Sequence, residues 1–177
     1  MTIAETEISL SPGQPDISDS ERRALKRFIF DEAQLADESR WEEWEALLAD
    51  DMHYWVPINE TEDPSGLDPS IINDNRSRLA TRLRQLRTGT RHSQAPKSVM
   101  RRMLSNIVME RTAHDTYKIA ANFVVYQYQN QSTIQLNVWP GRVEYSLRRN
   151  GNELKMFRKK VHLVHASGSV PTMSFII

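Results

Sequence analysis

Cysteine is absent from all 177 residues. That single absence removes disulfides, thiolate metal sites, iron–sulfur ligation and cysteine nucleophiles together. Long apolar runs are missing too. No stretch suits a bilayer span, and the opening MTIAETEISLSPGQPDIS has neither the basic start nor the apolar centre of a signal peptide. The expectation is a cytoplasmic protein with no membrane contact. Nor is there an excess of either charge: 23 Lys+Arg stand against 23 Asp+Glu, so no long-range field draws in a nucleic acid. The HExxH, GxSxG, P-loop and GxGxxG patterns are lacking as well.

What is present is a chain of one-domain length, large enough to bury roughly two-thirds of its unfolded surface. Arginine supplies 17 of the 23 cationic residues. Its planar fork pairs bidentately and is enriched at protein interfaces, which points to a protein partner.

The chain is organised around Ser39–Pro57. Ser39 with Glu42 has the spacing of a capping box, and Trp41, Trp44, Leu47 and Leu48 follow at helical spacing. The period then changes to two, with Met52, Tyr54 and Val56 on one side and His53 and Trp55 on the other, until Pro57 ends the strand. Upstream, residues 1–17 read as a flexible arm, and residues 18–177 as a single domain. Ser18 and Glu21 form another capping box, opening a helix that buries Leu25, Phe28, Ile29 and Ala33 and ends near Leu35 to Asp37. Asn59–Ile72 reads as a loop. Asp74 is placed to cap a third helix to about Arg87, with Leu79, Leu83 and Leu86 inward and Gly89 as its stop. That helix is arginine-rich, but without interleaved aromatics it suits a solvated or protein-facing surface.

From Met100 four strands follow, at about 100–111, 116–128, 133–149 and 153–165. Asn150-Gly151 is the strongest hairpin signal and Gln129–Ser132 a looser one, so the strands run antiparallel in sequence order. On the second, Tyr117 to Val125 alternate, and Val124, Tyr126 and Tyr128 make its other face apolar, so both faces are expected to be covered. On the third, apolar residues switch from even positions (Ile134, Leu136, Val138) to odd ones (Val143, Tyr145, Leu147). A bulge at Trp139-Pro140-Gly141 would restore one face and bend the sheet. The fold class expected is α+β: a strongly curved antiparallel sheet with N-terminal helices packed in its concave face, the cystatin-like or NTF2-like cone.

Cones of this kind often house an acid–base pair. Adjacent Asp50 and Asp51, with His53 or His92, are the candidates, though carboxylates at a helix end commonly satisfy turn donors. His162 and His165, three apart on a strand, point to opposite faces and share no metal. A stand-alone dehydratase or isomerase built on a His–Asp pair is one reading, and a pocketed binding protein another.

Five stretches, in order, carry a resemblance: SRWEEWEALLADDMHYWVP (Ser39–Pro57), PKSVMRRMLSNI (Pro96–Ile107), NFVVYQYQ (Asn122–Gln129), GRVEYSLRR (Gly141–Arg149) and TMSFII (Thr172–Ile177). Together they resemble the β, or small, subunit of aromatic-ring-hydroxylating dioxygenases. The resemblance implies the cone fold and a mainly structural role in an α3β3 hexamer. It places the Rieske [2Fe-2S] cluster and mononuclear Fe(II) in the α subunit, with electrons from a ferredoxin or reductase. No catalytic, cofactor or metal residue is then expected here. Trp55, Arg101, Arg102, Asn106 and Arg158 are the candidates for contact with α or sister β chains, being mostly the residue types that dominate interfaces.

Overall fold

The computed structural model describes residues 17–58, 69–88, 98–130, 134–166, 168, 173 and 175–177. Residues 1–16 of the N-terminal arm, most of the loop after Pro57, Gly89, His92 and the tip of the Gln129–Ser132 turn lie outside them, whereas Ile17, assigned to the arm, is buried in the core. The order is α1 (Asp19–Asp37), α2 (Trp41–Ala46), β1 (Leu48–Pro57), β2 (Ser70–Asn75), α3 (Arg76–Thr88), β3 (Val99–Ala113), β4 (Thr116–Asn130), β5 (Ile134–Asn150) and β6 (Glu153–Leu163). The strands form one curved sheet, ordered β2-β1-β6-β5-β4-β3, and the buried faces of the helices join its inner side in one core.

Local chemistry explains each helix end. Ser18 caps α1 as its spacing predicts, with Glu21 answering from the third helical position. The second serine does something else. Ser39 takes a left-handed backbone, φ 57°, and its N–H donates to the Ala36 carbonyl while that of Arg40 donates to Leu35. These two bonds make a Schellman stop for α1, with serine where glycine is usual. The expected Ser39–Glu42 capping box is therefore absent. Arg40 is the N-cap of α2 and makes no side-chain cap, and Trp41 and Trp44 are buried. Leu48 already belongs to β1. Asp74, too, lies in a strand: Asn75 accepts the Arg78 N–H at the start of α3, whereas Asp74 takes the Arg82 guanidinium at 2.7 Å.

β3 to β6 form the expected meander, and the Asn150-Gly151 turn has its glycine at φ 60°. Three features of the sheet differ from expectation. β2, assigned to a loop, pairs antiparallel with β1, and β1 also pairs parallel with β6, closing first strand on last. The bulge foreseen in β5 is absent, since β4 and β5 pair in unbroken register from Thr116↔Arg148 to Asn130↔Ile134. Leu136 and Val138 stay on the outer face, 58% and 47% exposed, while Trp139 is buried inward. The expectation had assumed that every apolar residue faces the core. The shift of parity occurs instead in β6, between Met156 and Arg158, with another in β3 between Ser105 and Val108, where Asn106 has φ 50°. Tyr126 and Tyr128 likewise lie exposed, so the outer sheet face is uncovered in the single chain.

Candidate functional site

The concave side of the sheet is where a fold of this shape would hold a ligand, and here its centre is charged. Glu32 sits on the apolar stripe of α1, one turn on from Phe28 and Ile29, and is fully buried. Three donors converge on it: Lys159 Nζ at 2.7 Å, Trp44 Nε1 at 2.7 Å and the Tyr145 hydroxyl at 3.2 Å. Lys159 is buried in turn, its ammonium 5.5 Å from the Tyr145 ring centre and 5.9 Å from that of Trp44. A carboxylate that accepts three hydrogen bonds survives burial because its lone pairs are occupied.

The electrostatics follow. Burial works against the Glu32 charge, but Lys159 and Arg102 hold the carboxyl below its usual range. Burial also dominates at Lys159, and with repulsion from Arg102 it outweighs Glu32 and brings the ammonium down to about 8. Burial, with the Glu32 charge beside it, keeps the Tyr145 hydroxyl protonated far into alkali. Next to this centre Arg102 bonds Asp37 at 2.7 Å and the Ile176 carbonyl at 3.1 Å. The Tyr54 hydroxyl receives the Ile177 N–H at 3.2 Å. Phe175, Ile176 and Ile177 are all buried and belong to the same core. Among Arg102, Phe123, Val143, Tyr145, Lys159 and Ile177 a cavity of about 10 Å³ remains, room for one water at most.

Among the described residues, those proposed for an acid–base pair are not assembled. Asp51 is gripped by Arg148, whose hydrogen bond holds its carboxyl below the usual range. His53 bonds Asn73 at 2.8 Å and stacks on Trp55, on the outer face. His165 lies in the turn after β6 against Trp139, at 5.6 Å. Among the described residues no three His, Asp or Glu side chains gather as metal ligands.

The interface candidates separate into two groups. Trp55 is half-buried on the outer face, its indole donating to Ser70 at 2.9 Å beneath the cations of Lys160 and Arg158. Arg101 and Asn106 are exposed on β3, Asn106 at the bulge. Arg102 differs: its side chain is only 4% exposed and is consumed by Asp37 within the chain. The interior cluster itself escaped sequence reasoning. Its signal was available, since a lone glutamate on the stripe Leu25, Phe28, Ile29, Glu32, Ala33 and Ala36 has to meet a buried cation.

A family model described as the ring hydroxylating beta subunit matches residues 31–167, most of the chain and all the elements just described from mid-α1 to the end of β6. The chain belongs to that family. It is 32% identical over 138 residues to the benzene 1,2-dioxygenase subunit beta of Pseudomonas putida, covering 73% of each. The crystal structure of the beta subunit of benzoate 1,2-dioxygenase from Burkholderia mallei superposes with a TM-score of 0.70 at 21% identity, over 92% of this chain and 99% of that one. An NTF2-like protein with a cystatin-like fold, from Novosphingobium aromaticivorans, gives a TM-score of 0.56 at 16% identity, over 82% of each chain. These two likenesses establish the cone fold. Within this ring-hydroxylating β-subunit member, the Glu32 cluster and the C-terminal residues occupy the interior of that cone.

Proposed function

We propose that the chain is the non-catalytic small subunit of a multicomponent aromatic-ring-hydroxylating dioxygenase. It supports a large α subunit that carries the Rieske cluster and the mononuclear iron, in an α3β3 assembly in the cytoplasm, with electrons delivered by a ferredoxin or reductase. Family membership supports the partner, and the benzene dioxygenase relative supports the aromatic class of substrate. The observation that carries the reading is made of the described residues: where a cone enzyme would bind substrate, this chain places its own Glu32–Lys159 pair, Trp44, Tyr145 and Phe175–Ile177. A Rieske cluster does not fit these residues, because its ligation takes two thiolates and the sequence has none.

On this reading residues 1–16 are an arm that orders against a partner, and the supporting domain runs from Ile17, which is buried in its core, to residue 177. Trp55, Arg101, Asn106 and Arg158 are contact residues, while Arg102 acts from within by fixing Asp37 and the tail. The test is co-expression with the large subunit, followed by exchange of His53 for Ala and of Asp50 and Asp51 for Asn. Ring hydroxylation within about twofold of wild type is the expected result, because none of the three then takes part in a proton transfer, which is typically worth roughly a hundredfold or more. Loss of turnover in variants that still assemble would reject the reading.

A further inference from the structure

The segment Phe175–Ile177 is held as a ligand is held. It lies in none of the six strands, and side chains of the inner sheet face grip it instead. Arg102 of β3 donates to the Ile176 carbonyl at 3.1 Å, and the Tyr54 hydroxyl of β1 accepts the Ile177 N–H at 3.2 Å. The Phe175 ring meets Trp139 of β5 edge-on, with 5.5 Å between ring centres. The Phe123 ring lies over Gly141, where a side chain would collide with it, and so extends the aromatic wall from Trp139. Ile177 borders the remaining cavity of about 10 Å³ together with Phe123, Val125, Val143 and Tyr145. A concave aromatic lining with a few placed polar groups is the make-up of a small-molecule site. Three large side chains displace more than the roughly 150 Å³ that lets an apolar cavity bind benzene.

Charge selects the occupant. When Phe175–Ile177 withdraws, the side chains left behind are already matched: Lys159 with Glu32 and Arg102 with Asp37, each at 2.7 Å. An added anion would be a buried charge without a counterpart. What loses its partner is one guanidinium N–H, which gives up the Ile176 carbonyl, and the Tyr54 hydroxyl. Burial holds that hydroxyl protonated, so it serves as a donor. A neutral carbonyl oxygen, with two lone pairs, answers both.

We infer that the space occupied by Phe175–Ile177 is a latent binding site for a neutral aromatic molecule carrying one carbonyl-type acceptor. The acceptor sits on Arg102 and Tyr54, the ring lies among Trp139, Phe123 and Val143, and the chain's own segment is the resident occupant that the molecule displaces. The site adds binding and no chemistry, so it stands or falls apart from the small-subunit reading.

The test uses the full chain with acetophenone, benzene and benzoate as probes. The readouts are the melting temperature and the indole N–H resonance of Trp139, which is fixed by its bond to Gln127 at 3.1 Å. F175A/I177A enlarges the space, I177A repeats the comparison should the double variant not fold, and L83A opens a cavity under α3 as a control. Acetophenone should raise the melting temperature of F175A/I177A by about 3 °C or more, benzene by less and benzoate not at all, while L83A shows no preference for acetophenone over benzene. Adding Y54F should cut that preference about fivefold, the loss of one hydrogen bond. In wild type the compound competes with the segment, so its affinity falls by the fraction of molecules in which the segment is out, and the Trp139 resonance shifts as Phe175 leaves. No shift in wild type up to the solubility limit overturns the inference, because the site then exists only as an engineered cavity. Benzoate binding as tightly as acetophenone, or L83A showing the same preference, overturns it too. Each of these results leaves assembly with the large subunit untouched, so the small-subunit reading is judged separately by co-expression.

Discussion

Glu32 and Lys159 show how one residue governs the interior. Each is tolerable only because the other is 2.7 Å away, so removing one leaves an uncompensated buried charge. E32Q or K159M alone should each cost about 3–5 kcal/mol, whereas the double change E32L/K159M should cost far less than their sum. Urea denaturation of the four proteins measures this directly. Glu21 offers a pH test. Hydrogen bonds from Tyr117 and Ser18, with the Arg111 charge, lower its carboxyl to about 2 from an unfolded 4.5. A depressed acid contributes stability above the unfolded value and loses it as pH falls through the folded one. Wild type should therefore lose stability relative to E21Q between about pH 4.5 and 2, seen as converging unfolding midpoints. An unchanged gap across that window would rule out the contribution.

At the scale of elements, two serines with the same +3 glutamate do opposite jobs. S18A should cost about 1 kcal/mol by removing a working cap. S39G should instead stabilise by about 1 kcal/mol, since glycine adopts the left-handed backbone without the Cβ penalty. Thermal melts of both distinguish a cap from a stop. G141A should cost about 1–3 kcal/mol, because the atoms it meets include a backbone carbonyl that cannot swing aside. The same elements show what could be read beforehand. Helical stripes, the β1 alternation and the Asn150-Gly151 turn are local signals, and each appeared where expected. The Ser39 stop was not legible, because which of two adjacent motifs wins depends on how α1 and α2 dock. β2 and the parallel β1–β6 pairing join segments that carry no local mark of each other. The foreseen β5 bulge failed for a different reason: its outward apolar residues lie on an exposed face, and periodicity alone cannot tell such a face from a core.

On the scale of the whole molecule, the chain is apolar on both sides of its sheet. Its own helices cover one side, and the other, with Tyr126, Tyr128, Leu136 and Val138, stands open. The inner side was largely legible, the outer one only as an unexplained second stripe. A cone occupied by its own charges and by Phe175–Ile177, with an uncovered outer face, fits a support better than a catalyst. The direct measurement is the native mass and iron content of the large subunit expressed with and without this chain. The account predicts a hexamer of three large and three small chains holding all its iron in the large subunit, and an unstable or aggregating large subunit when this chain is omitted. A large subunit that is soluble, trimeric and fully active alone would contradict it.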